Sequence, residues 1–202
     1  MRSFVALIGS VLLIPTSVMA TELESNVTSF LQNLSLPVPN TRSVIFCHGF
    51  NCVFRTQIGL GPGDHARMSQ MMSAGRGSPE AERKAIARTE VWFEKRVAPQ
   101  TGTAKAKARS GGMTIGGDPT QFDCIDATAN TTSLLIVLDQ LGLLKYHQID
   151  SPISRLFTGG GPHFTAVVKD KKSGKGWTVD PWTHDHGELP DVWPVERWKA
   201  GG

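Results

Sequence analysis

The chain has 202 residues, of which 40% are hydrophobic and 19% charged, and its formal net charge at pH 7 is +3. This length suits one domain with a real hydrophobic core, and the near balance of acidic and basic side chains argues against a nucleic-acid-binding protein. The sequence contains no internal repeat and no glycine-rich phosphate-binding loop.

The first 20 residues have the pattern of a secretory signal peptide. Arg2 supplies a positive charge, residues 4–18 are mostly apolar, and Val18-Met19-Ala20 fits a small-residue cleavage site. The apolar run is shorter than the roughly 20 residues of a transmembrane helix, and an uncleaved anchor is the competing interpretation. We therefore expect a periplasmic or secreted protein with no transmembrane anchor after cleavage, and a single domain over residues 21–202.

Export bears on the three cysteines, which are Cys47, Cys52 and Cys124. In an oxidising compartment an odd number indicates one disulfide bond and one free thiol. Only four residues separate Cys47 from Cys52, and a glycine and an asparagine among them allow the segment to turn. We predict a disulfide between Cys47 and Cys52, which leaves Cys124 free. The alternative is a metal site in which Cys47, His48 and Cys52 are ligands.

The segments before Cys124 predict two helices and a strand-like region. A short amphipathic helix is expected within residues 21–40, and residues 43–54 are strand-like around the cysteine pair. Residues 79–97 predict a helix with one apolar side and one solvent-facing polar side. The polar side consists of Glu80, Arg83, Lys84 and Arg88. A long loop over residues 98–120 then leads to Cys124, where it could cover a site.

The strongest helix prediction starts at Cys124. From Cys124 to Leu141 the chain has no proline or glycine, and apolar residues recur at three- and four-residue spacing. Asp123 is a good N-cap residue, and Asp126 can reach back to the amide of the cap. Helix N-termini favour anions and lower cysteine pKa values to about 3.5–7.5, so we expect Cys124 to be a nucleophile. The alternative is a small buried hydrophobic side chain.

Two segments downstream of this helix alternate between polar and apolar residues, which indicates antiparallel strands around a polar turn. In the register that pairs Val168 with Lys175, His163 lies opposite Asp180, with Cβ atoms about 4.5–5.5 Å apart. One face of the hairpin then carries His163, Thr165 and Asp180, whereas the other face is apolar. A carboxylate in this position can orient the imidazole of His163.

The segments FDCIDATANTTSLLIVLDQLG, PHFTAVV and GWTVDPW resemble the core of the transglutaminase-like superfamily, and the D-C-x-D-x-A run is similar to its bacterial cysteine-proteinase-like branch. The resemblance covers residues 120–183. It implies an α+β fold with a papain/transglutaminase-like core, in which the nucleophile helix packs against an antiparallel sheet. It also implies that Cys124 is the nucleophile, His163 the general base and acid, and Asp180 the residue that holds His163 in its productive tautomer. No cofactor is implied.

These features predict an exported cysteine-dependent acyl-transfer enzyme that acts on amide bonds of peptides or proteins through a thioester, with hydrolysis favoured over cross-linking. The backbone N–H of Cys124 is the expected half of an oxyanion hole, and Gln121 is a candidate for the second donor. One alternative is a catalytically inactive binding or scaffolding module of the cell envelope. Another is an exported metal-binding protein that uses His184 and His186 together with His163.

Overall fold

The computed structural model of the chain describes residues 25–111, 117–156 and 161–201, and the predicted signal peptide lies outside them. In chain order the elements are helix α1 (Ser25–Asn33), strands β1 (Ser43–His48) and β2 (Phe54–Gly59), helices α2 (Pro62–Ser73), α3 (Pro79–Thr101) and α4 (Cys124–Gln140), strands β3 (His147–Leu156), β4 (Pro162–Asp170) and β5 (Gly176–Val179), and helix α5 (Val195–Lys199). Strands β1 and β2 form one antiparallel sheet, and β3, β4 and β5 form a second in that order. The predicted mixed α+β class is confirmed.

Helix α4 is the centre of the hydrophobic core. It packs against β1 and also against β3 and β4, and every side chain from Ala127 to Leu138 is buried. A helix that is covered on all sides needs few charges, which explains why apolar and small polar residues fill this stretch. The side chain of Asn130 bonds to the backbone of β1 as a neighbouring strand would. Its amide accepts a hydrogen bond from the Cys47 N–H at 2.7 Å and donates one to the Cys47 carbonyl at 2.8 Å.

Helix α3 is longer than predicted, because it continues through Pro99 to Thr101. Gly102 ends it in a left-handed conformation with φ of 77°, and its N–H donates to the carbonyl of Ala98. Among the described residues, no helix is both long and apolar enough to cross a membrane.

The register between β4 and β5 differs from the prediction by two residues. Val168 pairs with Trp177 rather than with Lys175. The turn is tighter than expected because the side chain of Asp170 accepts hydrogen bonds from the backbone N–H groups of Lys172 and Ser173, at 3.0 and 2.6 Å.

A shift of two residues leaves every side chain on its predicted face, since side chains alternate with a period of two. Extended by one position, the observed ladder places Thr165 opposite Asp180, so that His163 is the diagonal neighbour of Asp180. Diagonal neighbours are about 7–8 Å apart at the backbone, which is still within reach of two long polar side chains.

Two buried carboxyl groups lie one helical turn apart on α3. Glu90 is 2% exposed and accepts a hydrogen bond from Thr131, while Glu94 is 5% exposed and accepts one from the backbone N–H of Gly187. Burial raises the pKa of Glu90 to about 8, with the charge of Glu94 adding to the effect, and burial raises the pKa of Glu94 to about 7. Both groups therefore bind a proton more tightly in the folded chain than in the unfolded chain.

We expect the free energy of unfolding to fall as the pH rises from about 5.5 to 7.5. In this range the unfolded chain has already released these protons, whereas the folded chain still holds most of the proton of Glu90 and loses that of Glu94 only near the upper end, so each pH unit destabilises the fold by at most about 1.4 kcal/mol per carboxyl. Urea unfolding at the two pH values measures the change. Glu90→Gln should make the decline shallower, whereas the exposed Glu196→Gln should leave it as in the wild type. An unchanged decline in Glu90→Gln would contradict the assignment.

Candidate active site

The start of α4 has the predicted capping arrangement, and it fixes the position of Cys124. The Asp123 carboxylate accepts hydrogen bonds from the N–H groups of Ile125 and Asp126, at 3.0 and 2.9 Å. The Asp126 carboxylate in turn accepts one from the N–H of Asp123 at 3.2 Å. This reciprocal pair of bonds is a capping box, which fixes the start of the helix at Cys124 rather than at a neighbouring residue.

The sulfur of Cys124 lies against the backbone on both sides of His163. Its Sγ is 3.8 Å from the carbonyl oxygen of Pro162, and it accepts a hydrogen bond from the backbone N–H of Phe164. In an extended strand these two backbone groups lie on the same edge, one before and one after residue 163. The structure thus brings the thiol of α4 to the point on β4 where His163 stands.

His163 and Asp180 are in direct contact. The Nε2 atom of His163 is 2.6 Å from Oδ2 of Asp180, and each residue is only 1% exposed. Because a carboxylate accepts hydrogen bonds, Nε2 is the ring nitrogen that carries the proton in this contact. Nδ1 lies on the other side of the ring. The contact is the one that the sequence predicted, although it forms along the diagonal of the ladder.

A second donor holds the same carboxylate oxygen. The indole N–H of Trp198 donates to Oδ2 of Asp180 at 2.8 Å, and Trp198 is fully buried. The guanidinium of Arg155 stacks over the Trp198 ring at 4.5 Å and its Nη1 donates to the Trp198 carbonyl, which ties helix α5 to β3. The sequence motifs around Cys124, His163 and Asp180 do not include Trp198. A buried indole N–H requires an acceptor, but the sequence does not say which one.

Aromatic rings enclose the imidazole. The ring centroid of His163 is 4.6 Å from that of Trp182 and 5.2 Å from that of Trp198. The indole N–H of Trp182 donates to the carbonyl of Ser110 at 2.7 Å, and the N–H of Arg109 donates to the carbonyl of Trp182 at 2.7 Å. The described part of the predicted loop over residues 98–120 therefore reaches the site and holds one wall of it.

Burial raises the pKa of the Cys124 thiol to about 11, and the negative charges of Asp123 and Asp180 add to this increase. Hydrogen bonds from the N–H groups of Phe164 and of Cys124 itself act in the opposite direction. The expected lowering of this pKa by the helix N-terminus is wrong. Asp123 already accepts the N–H groups of the first turn and places its own negative charge there, so the helix end no longer favours a thiolate.

The predicted disulfide between Cys47 and Cys52 is confirmed. The segment that it closes has four consecutive residues with positive φ: Gly49 at 78°, Phe50 at 68°, Asn51 at 52° and Cys52 at 56°. Left-handed backbone is unfavourable for residues with a Cβ atom by about 1–2 kcal/mol each. The loop is therefore held in this shape by its surroundings.

Those surroundings are the two carboxylates at the start of α4. The N–H groups of Phe50 and Cys52 donate to Asp126 at 2.8 and 2.6 Å, and the N–H of Asn51 donates to Asp123 at 2.9 Å. Burial, together with the charge of Asp123, nevertheless raises the pKa of Asp126 to about 7. The left-handed loop thus supplies three N–H donors that hold the first turn of helix α4 in place.

The metal alternatives receive little support. The sulfurs of Cys47 and Cys52 lie close to a carboxylate oxygen of Asp126, but they are bonded to each other and are not available as thiolate ligands. The ring of His48 contacts the carbonyl of Pro119 at 2.6 Å and the hydroxyl of Thr56 at 2.9 Å.

His184 contacts the carboxylates of Asp191 at 3.2 Å and of Glu188 at 3.8 Å, whereas His186 contacts that of Glu94 at 3.8 Å. Within the ranges that the structure describes, no metal-binding cluster joins His163 to His184 and His186. Gln121 uses its side-chain oxygen to accept hydrogen bonds from the Lys107 N–H and the Ser110 hydroxyl, at 2.8 and 2.9 Å. Its role as an oxyanion donor stays a prediction.

Removal of the disulfide in a Cys47→Ala/Cys52→Ala variant should lower the free energy of unfolding by about 2 kcal/mol, since the bond closes a short loop that the unfolded chain would otherwise leave open. Urea unfolding measures this loss. A reductant should destabilise the wild type by a similar amount and leave the double variant unchanged, and Cys124→Ser should respond to the reductant as the wild type does. Equal stability of wild type and double variant would contradict this role of the bond.

Comparisons of the chain with protein-family models, with curated proteins and with solved structures found no match. Membership of the transglutaminase-like superfamily is therefore not shown, and the resemblance rests on the sequence motifs around Cys124, His163 and Asp180.

Proposed function

We propose that the protein is a cysteine-dependent acyl-transfer enzyme that hydrolyses amide bonds in peptides or proteins. The observation that carries the proposal is the meeting of three groups: the Cys124 sulfur lies against the backbone that flanks His163, and His163 is bonded to Asp180 at 2.6 Å. A thiol, an imidazole and a carboxylate in this order form the set that nucleophilic catalysis by cysteine uses.

In the proposed reaction the thiol gives its proton to Nδ1 of His163 while the sulfur attacks the carbonyl carbon of the substrate. Asp180 stabilises the imidazolium that forms, because it already accepts the Nε2–H bond. The imidazolium then protonates the departing amine and a thioester remains on Cys124. Water, deprotonated by His163, attacks the thioester and releases the carboxylic acid.

The oxyanion that forms during both attacks needs hydrogen-bond donors. Cys124 is the first residue of α4, where the backbone N–H has no acceptor within the helix. Asp123 accepts the N–H groups of the next two residues, whereas the N–H of Cys124 is directed toward its own sulfur, where an oxyanion formed by attack of that sulfur would lie. This N–H is the first donor that we propose, and Gln121 stays the candidate for the second.

Because its pKa is raised, the Cys124 thiol must lose its proton during the reaction before the sulfur can act as a nucleophile. A thiol with a pKa of about 11 is almost fully protonated at neutral pH. Cys124 then attacks only when His163 accepts its proton during the reaction. The hydrolysis of amides thus depends on the imidazole at every step.

The competing candidate is a catalytically inactive binding or scaffolding module. Two observations favour it: Cys124 is only 8% exposed, with His163 at 1%, and the pKa of the thiol is far above neutral. A buried cysteine of this kind can serve as a small packing residue. In either case the disulfide is compatible with an extracytoplasmic location.

Alkylation of Cys124 by iodoacetamide as a function of pH separates the two candidates. Cys124 is the one cysteine outside the disulfide, so the label reports on it alone. If the protein is an enzyme, we expect alkylation at neutral pH that His163→Ala slows at least about tenfold, followed by a rise toward pH 11 that His163→Ala keeps. His184→Ala is the matched control and should keep both phases. A single rise near pH 11, unaffected by His163→Ala, would favour the inactive module.

Incubation with a mixed peptide library, followed by mass spectrometry, tests the reaction itself. The wild type should release new carboxyl and amino termini, and Cys124→Ala should reduce the rate at least about 10³-fold, since the loss of a nucleophile removes the covalent route. Cross-linked products would indicate that an amine replaces water as the acceptor of the acyl group. No conversion of any peptide by the wild type would contradict the proposed hydrolysis.

Trp198→Phe tests whether Trp198 positions Asp180. The variant keeps an aromatic ring and loses the N–H that donates to Oδ2, a bond worth about 1 kcal/mol. We expect kcat to fall about tenfold at most with an unchanged KM, because the bond acts on the imidazolium and not on the bound peptide. Trp193→Phe, which alters another tryptophan of the same segment, should keep wild-type kcat. A higher KM with unchanged kcat would show that Trp198 acts on substrate binding instead.

A further inference from the structure

A cavity of about 650 Å³ lies on the side of α3 that the sequence predicts to face solvent. Arg83, Ala87 and Arg88 of α3 form one wall, Trp177 of β5 forms another, and Leu189 and Val192 close it. Cavities of 300–1,000 Å³ with mostly apolar walls and a few polar groups are typical of sites for small molecules. The helix face with its cations therefore lines a concave site rather than a convex surface.

The charged side chains that line this cavity differ in whether they already have a partner within the protein. Lys84 is paired with Glu80 at 2.6 Å, whereas Arg88 is exposed and forms no ion pair or hydrogen bond with any residue in the described ranges. The guanidinium of Arg83 is held over the Trp177 ring at 3.6 Å. Three cations and one carboxylate thus line the cavity, and Arg88 has its donors directed to solvent or to a ligand.

The remaining lining is apolar. The indole of Trp177 is half-buried, with the Arg83 guanidinium over its ring, and Leu189 is 58% exposed at the rim. An exposed leucine beside an aromatic ring and an arginine gives the cavity both an apolar and a cationic part. The complementary ligand carries a flat apolar group and a negative charge.

We propose that this cavity binds a small organic anion whose aromatic group contacts the apolar lining of Trp177, Leu189 and Val192 and whose carboxylate or sulfonate pairs with Arg88. The proposal does not depend on the acyl-transfer chemistry. Trp177 and Thr178 point to opposite faces of β5, so that Trp177 faces away from the side on which Asp180 meets His163.

The cavity is nevertheless connected to the candidate active site through the backbone. Pro190 and Val192, which also line the cavity, flank Asp191, whose N–H and carbonyl form two hydrogen bonds with the backbone of Asp180, at 3.0 and 2.9 Å. The wall of the cavity is thus the partner segment of the residue that holds His163.

NMR titration with 1-anilinonaphthalene-8-sulfonate tests the proposal. The chain has five tryptophans, and their indole N–H signals are assigned with Trp→Phe variants. We expect the Trp177 signal to shift in a saturable manner, while that of Trp182, which lies beside His163, stays in place. The uncharged N-phenyl-1-naphthylamine should bind about five- to tenfold more weakly, since it lacks the charge that pairs with Arg88.

Matched variants identify the anchoring groups. Arg88→Gln should weaken binding of the sulfonate about five- to tenfold and leave the neutral amine unaffected, whereas the exposed Arg67→Gln on α2 should change neither. Leu189→Asp should weaken binding of the sulfonate more than Leu189→Asn, because the added carboxylate repels the ligand.

Three results would overturn the proposal. The first is equal affinity of Arg88→Gln and wild type for the sulfonate. The second is a Trp177 signal that shifts with protein concentration in the absence of ligand, because a second copy of the chain then covers the cavity. The third is tighter binding of a hexaglutamate peptide than of the sulfonate, because the site then takes an acidic protein segment.

Discussion

The geometry of the site depends on the hydrogen bonds that two carboxylates at the start of α4 accept. Asp123 and Asp126 accept N–H groups from their own helix and from the disulfide-closed loop, and Asp126 is fully buried while doing so. Without these bonds the first turn of α4 has no fixed end, and the sulfur of Cys124 has no fixed position relative to β4. The same two groups therefore join the smaller sheet, the central helix and the thiol into one unit.

This arrangement places a helix N-terminus and a thiol together without making the thiol acidic. The N–H groups that would otherwise stabilise a thiolate are used by Asp123, and the negative charges of Asp123 and Asp180 oppose a third charge nearby. Precise positioning of Cys124 and a low thiol pKa are thus in competition at this helix end. The structure has the positioning, so the proton must leave through His163 if the sulfur reacts.

Local patterns predicted much of this, because they depend on residues close in sequence. The capping box follows from the three-residue spacing of Asp123 and Asp126, and the disulfide follows from the short distance between its cysteines in the chain. The faces of the β4–β5 hairpin follow from alternation alone. The predicted contact between His163 and Asp180 is present although the predicted register was wrong by two residues, because a shift of two residues keeps both side chains on the same face of the sheet.

Features that depend on distant segments were not predictable in the same way. Trp198 meets Asp180 only because α5 returns to the sheet. The polar side of α3 looked solvated in the sequence, since nothing there shows that residues 189–192 lie across it. Burial of Cys124 and the charges around it likewise come from tertiary packing, which is why its acidity was misjudged.

The left-handed loop from Gly49 to Cys52 ties the assembly of this site to redox conditions. Three of its four residues carry a Cβ atom in an unfavourable conformation, and the S–S bond between Cys47 and Cys52 restricts the alternatives open to the chain. Where glutathione keeps cysteines reduced, this restriction is absent and the donors for Asp126 are less well organised. The first turn of helix α4, and with it the position of the Cys124 sulfur, would then reach its final geometry only after the disulfide has formed.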